Sequence, residues 1–329
     1  MDEYLYYDTN IIIECYNNQL FIESQNRLII DNCDLKYSEF ISESVFTKIK
    51  TAINEIFERI KKLITKFIDF VTKRRKKKDK IDDVATDEQK TDKTVDNIQK
   101  DDPETEDVLS NVSMKKIIIS EDAMKYTRFD KSIIDVNEFK ILQNGLDEIA
   151  NVIKDKNKLD LFNVIPNAIG NANALRVNGL PDLANTIDIL NMISDPIQER
   201  RLFISIGVPY NNGVKDAIII DDSEQNIDYI NTKDFENEKK FFDGYTDKIN
   251  NELKLLKNGL KELDNMKKQI NDIFSKYDTI DTAYKLFVNI ASLISKLYNV
   301  KISYLSMIDN AYLVHKHNIE IIMKVSKEK

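Results

Sequence analysis

Between residues 49 and 71, apolar side chains recur at alternating steps of four and three: Ile49, Ile53, Ile56, Ile60, Leu63, Phe67 and Phe70. That period belongs to one face of a helix. Phe57, Ile64, Ile68 and Val71 widen the face beyond a narrow coiled-coil seam, and charged residues such as Glu55, Glu58, Lys62, Lys66 and Asp69 fill the other side. The pattern predicts an amphipathic helix over 46–79, with Ser42 or Ser44 as its cap. So broad an apolar face must be covered by a partner, a membrane surface or the rest of the chain.

Leu142, Leu146, Ile149 and Ile153 mark a second helical stripe. Ile249, Leu253, Leu256, Leu260, Leu263, Met266, Ile270 and Ile273 mark a third, about eight turns long. Tyr284 to Tyr298 and Ser303 to His317 predict two further helices, and a long helix followed by two shorter ones is the pattern of an antiparallel bundle. Strand signals are few. Ile117-Ile118-Ile119 is a short apolar run, and Leu202–Val208 with Ala217–Asp221 flanks Pro209-Tyr210-Asn211-Asn212-Gly213, which predicts a hairpin near 202–221. The expected fold class is mainly α with a small β element.

Charge divides the chain more sharply than hydropathy does. Residues 1–46 carry 2 basic and 9 acidic side chains, residues 47–79 carry 12 and 4, and residues 80–113 carry 4 and 11. The expected organisation is therefore an N-terminal leader segment (1–45), a basic amphipathic helix (46–79), an acidic linker (80–113) and a mostly helical globular domain (114–329). The linker stretch has no aromatic residue and is rich in acids and Thr. Such composition does not bury enough apolar area to offset chain entropy, so disorder is expected there. Cys15 and Cys33 are the two cysteines and show no metal spacing, which suits a reducing compartment. No membrane span and no secretory signal are expected.

Candidate chemistry is sparse, and no cofactor is expected. Tyr7-Asp8-Thr9-Asn10-Ile11-Ile12-Ile13 resembles the opening strand of PIN-domain nucleases, in which an Asp-Thr-Asn turn supplies the first carboxylate for a divalent metal. That resemblance implies a metal-dependent nuclease using Asp8, with Glu39 or Glu43 as a second ligand, but the α/β pattern of that family does not follow. Ile218-Ile219-Ile220-Asp221-Asp222 looks like a Walker B strand, yet the chain has no GxxxxGK[ST] to cradle a phosphate. His315 and His317 stand two apart on a predicted helix, point about 200° from each other and cannot chelate one ion.

The cluster Lys73, Arg74, Arg75, Lys76, Lys77 and Lys78 suits an anionic surface, either lipid or nucleic acid, or an acidic block of the chain itself. Together with Ile49, Ile53, Ile56, Phe57, Ile60, Leu63, Ile64, Phe67 and Phe70, it forms the expected interaction surface. A peripheral membrane-binding role for this helix is one alternative. As a layout, Phe40-Ile41-Ser42-Glu43-Ser44-Val45-Phe46, then Ile49–Val71, then Lys73–Lys78 resembles virion and prohead-core structural proteins of large AT-rich tailed bacteriophages. The resemblance implies a non-enzymatic assembly protein in a virion or host cytoplasm, working by self-association or with other structural proteins. It also implies trimming of the leader after Glu in some members.

Overall fold

Two of the isoleucine runs find each other. β1 (Met114–Ile119) pairs antiparallel with β2 (Ile218–Gln225), with Ile117 opposite Ile220, Ile118 opposite Ile219 and Ile119 opposite Ile218. The register shifts between Lys115 and Lys116, where Asp222 and Ser223 bulge from β2 before Glu224 and Gln225 resume pairing with Lys115 and Met114. β-branched pairs at consecutive positions hold so short a ladder. The computed structural model describes residues 43–78, 113–154, 172–209, 216–276 and 281–327. The leader up to residue 42, nearly all of the acidic linker, both cysteines and the loop at 210–213 lie outside the described residues.

Helices make up almost everything else, so the fold is mainly α with one small antiparallel sheet. After β1 come α2 (Glu121–Tyr126), α3 (Asn137–Lys154), α4 (Ala172–Val177), α5 (Pro181–Met192) and α6 (Pro196–Ser205). β2 is followed by α7 (Lys233–Phe242), α8 (Tyr245–Lys276) and α9 (Asp281–Lys327); the basic amphipathic helix, α1 (Glu43–Lys78), precedes them all. Short polar side chains start several of them. Ser120 accepts from the Ala123 N–H at 3.1 Å, Asp195 from Ile197 at 2.9 Å and Thr232 from Phe235 at 3.3 Å.

The predicted hairpin near 202–221 is not formed. Asp195 caps a helix with Pro196 at its first turn, and that helix runs through Leu202 and Phe203 to Ser205. It ends at Gly207, whose φ of 78° allows the Val208 N–H to reach the Phe203 carbonyl and the Gly207 N–H to reach that of Ile204. β2 therefore pairs with β1, about a hundred residues upstream in sequence. A second correction concerns the end of the chain. The two helices expected at Tyr284–Tyr298 and Ser303–His317 are one, the 47-residue α9. No Gly or Pro interrupts residues 299–302, and their polar members are held inside: the Asn299 side chain donates to the Ser295 carbonyl at 2.9 Å.

α9 is apolar around most of its circumference between Leu286 and Ile308 and lies at the centre of the core. α8 runs antiparallel beside it and α1 covers both. α1, expected as a unit apart from 114–329, shares one continuous hydrophobic core with β1, α3, α5, α8 and α9. Among the described residues, no helix is long and apolar enough to cross a membrane.

Candidate interaction site

The apolar face of α1 is wholly used inside the chain. Ile49, Ile53, Ile56, Phe57, Ile60, Leu63, Ile64 and Phe67 are each at most 4% exposed, and Phe70 is half-buried against the same core. The face expected as a docking or membrane surface is thus covered by α8 and α9. The apolar face of this 36-residue helix has two long partners within its own chain, and burial there removes it from water without a second molecule.

Polar pairs set the register of this packing. Asn54 and Asn271 exchange amide hydrogen bonds at 2.9 and 3.2 Å. Lys267 meets Glu58 at 2.5 Å and Lys61 meets Asp264 at 2.7 Å. Each step of three or four forward along α1 is matched by an equal step back along α8, so the two helices are antiparallel. On the α9 side, Arg74 pairs with Asp309 at 2.8 Å, with both side chains largely buried, and its guanidinium lies 3.8 Å over the Phe70 ring. The Tyr245 hydroxyl donates to the second Asp309 oxygen at 3.3 Å. Lys267's hydrogen bond holds the Glu58 carboxyl below its usual range, while Asp264's bond to Lys61 holds that ammonium above its own.

Of the expected basic cluster, Lys73 is exposed and Arg74 is bound to Asp309; the side chains of Arg75, Lys76, Lys77 and Lys78 lie outside what is described. The cluster is therefore partly engaged by an acid of α9, a residue that no charge-block count singled out.

Two buried polar networks escaped sequence reasoning. Lys301 and Glu252, 2% and 1% exposed at their side chains, pair at 2.9 Å between α9 and α8. The remaining Lys301 protons go to the carbonyls of Ile206 at 2.9 Å and Arg128 at 3.1 Å, where the end of α6 crosses the chain after α2. Burial pushes the Glu252 carboxyl up, against the pull of Lys301. A void of about 10 Å³, the size of one water, adjoins the pair beside Tyr298.

The second network centres on Glu238, which is fully buried. Its carboxylate accepts from the Tyr229 hydroxyl at 2.7 Å and from Asn318 at 3.4 Å, and meets His315 Nδ1 at 2.7 Å. Tyr229 in turn accepts from the Ile117 N–H at 2.9 Å, and the Asn318 amide bonds both the N–H and the carbonyl of Lys115. These side chains close the edge of β1 that faces away from β2. Burial, and then the Glu238 charge, raise the Tyr229 phenol far above its ordinary range.

A signal for both networks was present. Lys301 stands four residues after Leu297 and four before Leu305, within the apolar stripe of α9. Glu252 lies three after Ile249 and four before Leu256, and Glu238 sits between Phe235 and Phe241. A charge at a stripe position implies a buried partner.

Asp8, Glu39 and the Glu43 side chain lie outside the described residues. Among the described residues, no group of three His, Cys, Asp or Glu is placed to hold a metal ion. Asp221 lies within β2 opposite Lys116, at the bulge, and accepts from the Ser223 N–H at 2.9 Å. His315 is committed to Glu238, and His317 is exposed. No family model matches the sequence, and no curated protein or solved structure is significantly similar to it.

Proposed function

We propose that this protein is a non-enzymatic structural or assembly component, of the kind that builds a virion or prohead core, and that helix–helix contacts are its working surfaces. The observation that carries the reading is the seam of α1 on α8 and α9. It combines an apolar centre, a polar pair that fixes register and ion pairs at the rim, which is the anatomy of interfaces between helical building blocks. The buried ionisable groups support the same reading. Lys301, Glu252 and Glu238 each bind groups on neighbouring elements, so their role is to hold helices and strands in place. A virion or a reducing host cytoplasm is the compartment this reading assigns.

Sedimentation velocity on the full chain, over a wide range of concentration and salt, tests the proposal. Concentration-dependent oligomers are expected. A monomer under every condition overturns it, as does Mg²⁺- or Mn²⁺-dependent nuclease activity that disappears in Asp8→Ala.

A further inference from the structure

We infer that the groove between α8 and α9 receives α1 from a second copy of this chain, so that copies assemble by exchanging this helix. The inference rests on the assembly reading and names the partner of its seam. Three observations carry it.

α1 makes its principal contacts with α8 and α9, so one hairpin forms the greater part of its receptor. The seam is also keyed to this sequence. Asn54 matches Asn271, Glu58 matches Lys267, Lys61 matches Asp264 and Arg74 matches Asp309, four polar pairs in register along two faces of one helix. A foreign amphipathic helix would fill the apolar trough but leave these groups mismatched, whereas a second copy satisfies all of them. Finally, α1 is joined to β1 only through residues 79–112, and 34 residues of chain span up to roughly 110 Å when extended. That reach is sufficient for α1 to enter the groove of a neighbouring molecule.

Exchange preserves every contact of the seam while joining molecules. Reciprocal exchange closes a dimer; one-directional exchange continues from chain to chain.

The test uses two full-length chains in which Cys15→Ser and Cys33→Ser have removed the native thiols. One carries Asn54→Cys and the other Asn271→Cys, with different affinity tags, and the two are co-expressed. A short bismaleimide then links thiols that face each other across the seam. A cross-linked species carrying both tags is expected from up to about half of the dimers if partners are drawn at random, because only a pair of unlike chains brings the two new thiols together across one seam. Peptide mapping should place the link between positions 54 and 271. A chain carrying both substitutions serves as the control that the linker bridges the seam. If that control links only within single chains and no species carries both tags, the exchange is overturned. Assembly through another surface would then still stand if the wild type forms oligomers, whereas a wild type that sediments as a monomer throughout removes the assembly reading as well.

Discussion

Lys301 illustrates how a single side chain is fixed by everything around it. Its ammonium lies out of water, and its bonds to Glu252, Arg128 and Ile206 compensate for that burial. Replacing it with Met leaves a carboxylate and two carbonyls without their donor. Lys301→Met is expected to destabilise the protein by about 3–5 kcal/mol in urea unfolding. Adding Glu252→Leu should recover part of that loss, because the orphaned charge is then gone, and an additive result would show that the pair is not coupled. Tyr298 presents the opposite case. Its hydroxyl is buried with no hydrogen-bond partner among the described residues, and it lies where a β-carbon on Gly259 would stand. Gly259→Ala should cost about 1–3 kcal/mol by overpacking, and Tyr298→Phe should restore most of it. Thermal unfolding of the three variants checks this, and no rescue by Phe would place the clash elsewhere.

At the scale of the element, the ion pairs between α1 and α8 make the docking of α1 weakly dependent on pH. Glu58 has its pKa lowered in the folded protein from an ordinary value of 4.5, so its contribution is present above that value and lost as the pH falls through the folded pKa. Lys61 has its pKa raised from 10.5, so its contribution is present below that value and lost as the pH rises through the folded pKa. Both act fully between those limits. Each pair is partly exposed to water, which limits it to about 1 kcal/mol or less. Urea unfolding of wild type and Glu58→Gln from pH 3 to 7 should therefore show a shallower acid decline in the variant. Equal slopes would mean that the seam draws nothing from Glu58. The basic end of α1 follows different physics, since Arg74 and Asp309 are largely shielded, and Asp309→Ala should loosen that end more than loss of the Glu58 pair does.

For the whole molecule, a core shared by α1 and residues beyond 114 means that the amphipathic helix cannot be altered in isolation. Ile56 and Leu63 are 3% and 4% exposed, and Ile56→Glu with Leu63→Glu puts two unpaired charges against α8 and α9. At roughly 4 kcal/mol each, the pair approaches the full stability of an ordinary domain. The double variant should lose cooperative thermal unfolding by circular dichroism, including the signal from α9. A sharp melt near the wild-type temperature would show that α1 is dispensable to the core. A complementary experiment cuts the covalent link and leaves the packing intact. With a protease site inserted within 80–113, the cleaved chain should still elute as one species, because non-covalent contacts hold α1 in place; separate fragments would contradict the shared core.

The repeat of apolar residues was enough to locate α1, α3 and α8, because a helix stripe is a local property written every three to four residues. The same locality explains what went astray. Leu202–Val208 has the apolar content of a strand, but the Asp195 cap, the Pro196 start and the Gly207 exit make it the end of a helix. Two helices, Tyr284–Tyr298 and Ser303–His317, are expected where α9 is one, since a sequence does not show that Lys301 between them has Glu252 and two carbonyls waiting for it. Which isoleucine run pairs with which, that Glu238 and Asn318 close the edge of β1, and that the broad face of α1 is covered from within are all facts about residues more than seventy apart. They arise when apolar faces find the lowest-energy way to leave water together, and that choice belongs to the folded chain as a whole.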